Sequence, residues 1–380
     1  MTAPSPDPDY GHHRSLPVHA ELEDAEADLQ TGLLIRIHLA LLGMRQGQIL
    51  KISSPLPALM DQLRAFEVAS DHALLAVRPD EHRPGWADYY VRKGRARTEW
   101  TESGQRPPAP VGVDLDPVQQ LMPTRLWLYT NSDCTLACDD CCVVSGPRAD
   151  PRRLDSARIR TLVDQAAAAS FERVFLTGGE PTLRPDLADL ISYVTDRLPL
   201  TVLTNAMLLN GPRWSRLRPL IEERRPVAFQ VSVDSATAER HDAHRGAGSH
   251  ARALAGIRTL VAAGAHVRLA ASLPEAALVE IPALHDLAES LGIRPEDRIF
   301  RPIALRGAAS EGEPIRPADV APELTCDAQG WFWHPISNDP DMRLALPADA
   351  PMAAAMTAVQ ERLRAMLANR SGRLDRFVCG

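Results

Sequence analysis

From residue 125 onward, apolar residues fall into short runs separated by longer amphipathic stretches. The runs Leu126–Tyr129, Arg173–Leu176, Thr201–Leu203, Ala228–Val233, Val267–Ala271 and Ile299–Ala304 predict strands. The stretches at about 154–169, 185–197, 212–223, 249–263 and 280–291 carry the helical period and predict the helices between them. Short apolar strands interleaved with amphipathic helices predict a parallel sheet with crossover helices. Six such units give an α/β fold of the partial (β/α)6 barrel type, open on one side, with its chemistry at the C-terminal ends of the strands.

The pattern differs on either side of this core. Residues 1–24 are rich in Pro, Asp and His and predict a disordered tail. Residues 25–104 predict a small α+β domain of β-α-β-α-β-β type or a shortened version of it. Its helices fall at 33–44 and 58–69, and its strands at 48–53, 72–77 and 87–93. A Pro-rich linker follows at 105–120. The core runs over 121–310, and 311–380 predicts a hairpin with its turn at Gly330, then a helix at about 351–369.

Composition narrows the function classes. The chain has 380 residues, 45% hydrophobic and 24% charged, with a formal net charge of −7. That is an ordinary globular balance, and the absence of a long basic run argues against nucleic acid as a partner. No segment approaches the ~20 apolar residues of a membrane span, and residues 1–17 lack the apolar region of a signal peptide. The expected location is cytoplasmic, where clustered thiols serve metal binding or catalysis more often than disulfides.

Four of the six cysteines crowd into one loop straight after the first core strand: Cys134, Cys138, Cys141 and Cys142. The first three have the spacing C-x3-C-x2-C. Three thiolates are one short of a closed zinc site and one short of the usual ligand set of a [4Fe–4S] cluster, so one iron is left open for a non-protein ligand. A zinc site with Cys142 as fourth ligand is the alternative, although adjacent Cys141 and Cys142 would reach one tetrahedral ion with difficulty. The second motif, Thr177-Gly178-Gly179-Glu180-Pro181, follows the second core strand. Its glycines allow close backbone approach to a ligand, and its carbonyls with Glu180 as acceptor suit an ammonium group.

Together the cysteine loop, the Gly-Gly-Glu-Pro turn and the six-unit barrel resemble the radical S-adenosylmethionine (SAM) superfamily over about residues 121–310. The resemblance implies that Cys134, Cys138 and Cys141 hold a [4Fe–4S] cluster whose open iron is chelated by SAM. It further implies reductive cleavage to a 5′-deoxyadenosyl radical that abstracts a substrate hydrogen, with electrons from flavodoxin or ferredoxin. More positions are similar to the subgroup of the molybdenum-cofactor GTP cyclase and the SPASM/twitch enzymes: Thr204 and Asn205 after the third strand, Ser232 at the end of the fourth, and His241-Asp242-Ala243-His244-Arg245-Gly246. By that resemblance Ser232, Arg245 and Ile303 contact SAM, Arg245 through its carboxylate and Ile303 through the adenine. Asp140 stands where the superfamily usually has an aromatic residue, leaving its backbone to meet the adenine. The residue that handles the proton or electron after abstraction is not readable, and the substrate is a small metabolite or a peptide.

The N-terminal domain resembles the TusA-like sulfur carriers, but the position of their cysteine falls near Gln30 or Thr31, neither of which carries a persulfide. The segment from Leu324 to Pro335 resembles the opening hairpin of a SPASM or twitch extension. With Cys326 and Cys379 as its remaining cysteines, it is expected to be a degenerate extension covering the barrel mouth, with Trp331, Phe332 and Trp333 either part of a half-buried hairpin or lid contacts with substrate. An iron–sulfur or zinc-binding adaptor without SAM turnover is the alternative to an enzyme.

Overall fold

The computed structural model divides into two units, residues 1–117 and 118–380. It describes residues 18–23, 44–45, 47–55, 72–80, 82–93, 118, 122–148 and 152–368, together with Ile37, Ala40, Leu41, Leu59, Met60 and Leu63.

In the first unit, strands β1 (Ala20–Glu23), β2 (Ile49–Ser54), β3 (Ala73–Pro79) and β4 (Ala87–Arg92) form a mixed sheet in the order β1-β2-β4-β3. β1 runs parallel to β2, and β4 is antiparallel to both its neighbours. Alternation sends Leu50 and Ile52 of β2 and Tyr89 and Val91 of β4 into one core. They meet two helical pairs at i,i+4 spacing, Ile37/Leu41 and Leu59/Leu63, all four nearly inaccessible to solvent. β1 corrects the expectation of a disordered tail at 1–24: residues 20–23 are paired to Leu50–Ser53. The predicted linker lies outside the described residues except for Val118.

The second unit carries the predicted alternation. β5 (Arg125–Tyr129), α1 (Ser156–Ala168), β6 (Arg173–Thr177), α2 (Leu187–Thr195), β7 (Leu200–Thr204), α3 (Gly211–Glu222) and β8 (Val227–Ser232) follow in order. Next come α4 (Ala238–Arg245), α5 (Ser249–Ala262), β9 (His266–Leu273), α6 (Ile281–Ser290) and β10 (Arg298–Pro302). The six strands pair in parallel as β10-β9-β8-β7-β6-β5. Each crossover helix buries one stripe against them: Ile159, Leu162, Val163 and Ala166 of α1, and Leu187, Leu190, Ile191 and Val194 of α2. α4 was not anticipated. Its sequence is polar and only His241 is buried, so it has no apolar stripe to read.

The C-terminal segment departs from expectation. β11 (Leu324–Asp327) and β12 (Gly330–Phe332) form the predicted hairpin, but β11 pairs in parallel with β5 and widens the sheet to eight strands. Trp331, Phe332 and Trp333 are not lid residues; all three are buried in the main core. The indole N–H of Trp331 donates to the Ala350 carbonyl (2.9 Å) and that of Trp333 to the Val320 carbonyl (3.1 Å), so both polar edges are satisfied inside the core. α7 (Met352–Ala368) packs beside α1 through Ala355, Val359 and Leu363.

Candidate functional site

Arg125, Trp127 and Tyr129 share one face of β5, by the two-residue period of a strand. Trp127 stacks on Phe175 of β6, with ring centroids 3.9 Å apart and planes 8° from parallel. Glu323, just before β11, accepts from both Arg125 and the Trp127 indole N–H. The Tyr129 hydroxyl donates to the Pro335 carbonyl. Above this packed layer a cavity opens at the C-terminal ends of the strands, with an empty volume of about 1090 Å³ counting the open space at its mouth. Cys134, Cys138, Cys141 and Cys142 line it, as do Asp140, Gly178, Gly179, Thr204, Asn205, Ser232, Arg245 and Ile303. Of the residues expected at the site, only Glu180 is not on its wall.

The cysteine loop has no helix or strand. Two isolated bridges, Asn131 with Arg153 and Asp133 with Gly146, close it. The Gly-Gly turn supports it from below: the Gly179 amide donates to Asn131 O (2.7 Å) and the Glu180 amide to Asp133 O (2.9 Å). A Cβ on Gly178 would lie 2.3 Å from Asn131 O, and one on Gly179 would lie 2.3 Å from Asp133 O. The glycines are therefore required by the loop above them. An ammonium needs acceptors, so the backbone groups this turn can offer it are carbonyls.

Each of the three expected cluster cysteines has a polar partner at its sulfur. The Leu136 amide (3.5 Å) and Asn205 Nδ2 (3.9 Å) face Cys134 Sγ. Arg245 Nη1 lies 4.0 Å from Cys138 Sγ, and Ser145 Oγ lies 3.2 Å from Cys141 Sγ. Burial pushes the Cys134 thiol up to about 11 and the Cys138 thiol up to about 12, the Arg245 charge opposing the latter shift. The Cys134 and Cys138 thiols are thus protonated at neutral pH when bare, and ligation must displace their protons. Among the described residues no three His, Cys, Asp or Glu side chains are arranged to grip a single ion. A cube-shaped [4Fe–4S] cluster has no such requirement, because each cysteine holds a different iron. Three cysteines on one open cavity, each with its own polar partner, fit that group better than a zinc ion.

Two assigned roles change. Glu180 is fully buried and is not among the residues lining the cavity. Its carboxylate accepts from Thr182 N (2.9 Å), Thr182 Oγ1 (2.7 Å), Thr204 Oγ1 (2.7 Å) and Asn205 N (2.8 Å). Burial raises its carboxyl above the usual range, with those donors opposing. Glu180 ties the end of β7 to the Gly-Gly turn; it is not placed to receive a ligand ammonium. Arg245, expected to present a fork to the SAM carboxylate, spends that fork on Asp234 through Nε and Nη2. Burial works against the charge of both members of this pair, yet each holds the other ionised: Arg245 is raised and Asp234 lowered.

The rest of the His241–Gly246 motif is a bracket. The Asp234 amide donates to His241 Nδ1 (3.2 Å), which keeps that nitrogen an acceptor. Burial, then the Arg245 charge, lower His241 to about 4. Asp242 accepts from the amides of Gly248 (2.6 Å) and His250 (2.8 Å) at the start of α5. The carbonyl of His244 accepts from the Asp139 amide in the cysteine loop (3.2 Å). Asp140, also on the cavity wall, has its carboxyl raised by burial and by the neighbouring Asp234 charge. Ser232 lines the cavity from the end of β8.

Several wall residues escaped the sequence reading: Trp127, Tyr129, Ser145, Ser272 and Arg301. Strand parity carried a signal for the first two, since they alternate on β5. Ser145 and Arg301 have none, because each meets its neighbours only through folding.

Residues 128–274 match the family model described as the Radical SAM superfamily. The mycofactocin maturase MftC of Mycobacterium ulcerans is 38% identical over 132 residues, 34% of this chain and 34% of that protein. The AdoMet-dependent heme synthase of Methanosarcina barkeri is 31% identical over 195 residues, 51% of this chain and 54% of the synthase. The PqqA peptide cyclase of Gluconobacter oxydans is 33% identical over 175 residues, 45% and 47% of the two chains. The chain thus spans about a third to a half of these relatives.

Proposed function

Because this chain carries a radical SAM domain, we propose that it is an enzyme that cleaves SAM reductively and abstracts hydrogen from a peptide substrate. Cys134, Cys138 and Cys141 would hold the [4Fe–4S] cluster, which when bound supplies one-electron reduction of the SAM sulfonium. SAM bound there would be cleaved to methionine and a 5′-deoxyadenosyl radical, which would take a hydrogen atom from substrate. The observation that carries this reading is the cavity itself, where three cysteines with polar partners at their sulfurs face the Gly-Gly turn, Ser232 and Ile303 across one open space.

The chain's own residues divide the work. The carbonyls of Gly178 and Gly179 accept the SAM ammonium, and Ser232 supplies a hydroxyl for its polar groups. Ile303 packs the adenine, with the backbone at Asp140 beside it. Arg245, neutralised by Asp234, stabilises negative charge at Cys138 and does not clamp the SAM carboxylate. The packed layer of Trp127, Phe175 and Glu323 closes the lower lumen and keeps water from the radical. A flavodoxin or ferredoxin supplies the electron. The N-terminal unit is TusA-like, a reading its β-α-β-α-β-β order supports; without a cysteine at Gln30 or Thr31 it serves docking, dimerisation or substrate recognition.

Peptide substrates are favoured by the maturase and the peptide cyclase among the relatives; the heme synthase favours a small metabolite as the second reading. Anaerobic reconstitution tests the class: about four irons per chain and release of 5′-deoxyadenosine under reductant are expected. A colourless zinc protein, or an iron protein that never cleaves SAM, overturns it. Mass spectrometry of short peptides encoded beside the gene, after incubation, then separates peptide from metabolite.

A further inference from the structure

The loop after β10 touches the cysteine loop at one place. The Ala308 amide donates to the carbonyl of Cys141 (2.8 Å). Beside it, Gly307 has φ +61, in the left-handed region that favours glycine. A Cβ there would lie 2.5 Å from Cys141 O and 2.5 and 2.6 Å from Cys142 C and O. All three are backbone atoms, which cannot swing aside as a side chain would.

The loop has little freedom to retreat. The Leu305 amide donates to Glu313 O (2.7 Å) and the Glu313 amide to Ile303 O (2.8 Å), closing its base. The side chain of Arg306, only 11% exposed, donates to the Ile315 carbonyl and pairs with Asp341 (2.7 Å) and Asp339 (3.4 Å). Glycine at 307 is therefore what lets a firmly anchored loop lie against the backbone of two adjacent cysteines.

We propose that Gly307 is a positioning residue for the third cluster ligand. By lying against the Cys141–Cys142 peptide, it holds the backbone that carries the third ligand. The Cys141 sulfur has its own contact, with Ser145 Oγ at 3.2 Å. The clasp also makes the cluster loop dependent on Asp339 and Asp341, in a segment the radical SAM family model does not cover. This inference rests on the cluster reading given above.

The test uses the full chain, reconstituted anaerobically with iron and sulfide, as wild type, Gly307→Ala, Gly307→Asn and Cys142→Ala. Iron per chain and the electron paramagnetic resonance spectrum of the reduced cluster are the readouts, with thermal unfolding of the unreconstituted proteins as the control for folding. The expected result is wild-type iron in C142A, but less than half the wild-type iron, or a shifted spectrum, in both Gly307 variants while each still folds and unfolds cooperatively. Asn tolerates the left-handed backbone yet carries a Cβ, so its failure isolates the contact from the conformation. Wild-type iron and spectrum in either Gly307 variant overturns the clasp alone. A wild type that takes up no iron overturns the cluster reading and the clasp with it. If the Gly307 variants do not fold, Arg306→Gln decides: loss of iron at unchanged stability supports the clasp, and full loading overturns it.

Discussion

In the lower lumen of the barrel, Trp127 lies flat on Phe175, and Glu323 is wedged between Arg125 and the indole. These are strand positions, set by a two-residue period and filled by large side chains. At the mouth, the cysteine loop has neither helix nor strand, and its anchors are amides, carbonyls and glycines borrowed from elsewhere: Gly179 and Glu180 after β6, His244 of α4, and Ala308 after β10. The contrast teaches where each kind of damage will appear. Losing a side chain in the lower lumen removes buried surface and so stability. Adding a single Cβ at the mouth removes almost no buried surface, but shifts a thiolate.

The comparison can be broken most sharply at the sulfurs. Cys141→Ala should abolish iron retention and 5′-deoxyadenosine release, while Cys142→Ala retains both; the reverse pattern, read by iron analysis and chromatography, would overturn the ligand assignment. In the opposite direction, Trp331→Ala should lower unfolding free energy by about 3–5 kcal/mol in denaturant titrations, as deletion of a buried aromatic does, while the folded fraction still binds iron. A loss below 1 kcal/mol would mean that the hairpin is not part of the core.

Glu180 sits between the two regimes. Glu180→Gln should cost about 1–3 kcal/mol of stability, since a buried acceptor of four hydrogen bonds loses part of its set. SAM affinity, measured by equilibrium binding, should change by less than about threefold, roughly 0.7 kcal/mol. A tenfold loss of affinity at unchanged stability would return the carboxylate to the ligand.

A fourth effect is set by pH and accumulates over several pH units. Burial, followed by neighbouring arginine charge, lowers His241 to about 4 and His334 to about 3. Each stays neutral in the folded chain while its unfolded counterpart protonates below about pH 6.5. Below that pH the unfolded state binds more protons, so stability falls as pH drops from about 6.5 toward 4, by at most about 1.4 kcal/mol per pH unit for each residue. His334→Gln should flatten this slope in urea melts; an unchanged slope would show that His334 protonates equally in both states.

How much of this was legible in the sequence follows the same division. The six core strands and five of their helices could be read because each presents a local period, and their ends differ from expectation by one or two residues. The cavity wall was largely legible too, because residues at the C-terminal ends of parallel strands must converge. The partner of Arg245 was not: Asp234 is 11 residues away and meets it only once α4 has turned back. Nor was the direction of Glu180, whose acceptors are filled from β7 and its own turn. β1 was hidden because Ala20–Glu23 offers only two apolar positions in a polar stretch. The place of β11 beside β5 depends on a pairing between Leu324 and Leu126 that no local pattern encodes.

That last pairing has a consequence for synthesis. β5 is among the first strands of the barrel to be made, yet its outer edge, and the acid that Arg125 and Trp127 share, arrive about 200 residues later with Leu324 and Glu323. At ~5–20 residues per second, a growing chain spends some ten seconds or more with an unpaired strand edge. The barrel is thus an object that closes last where it began, and the chain that waits for its final strand is the form most open to misassociation.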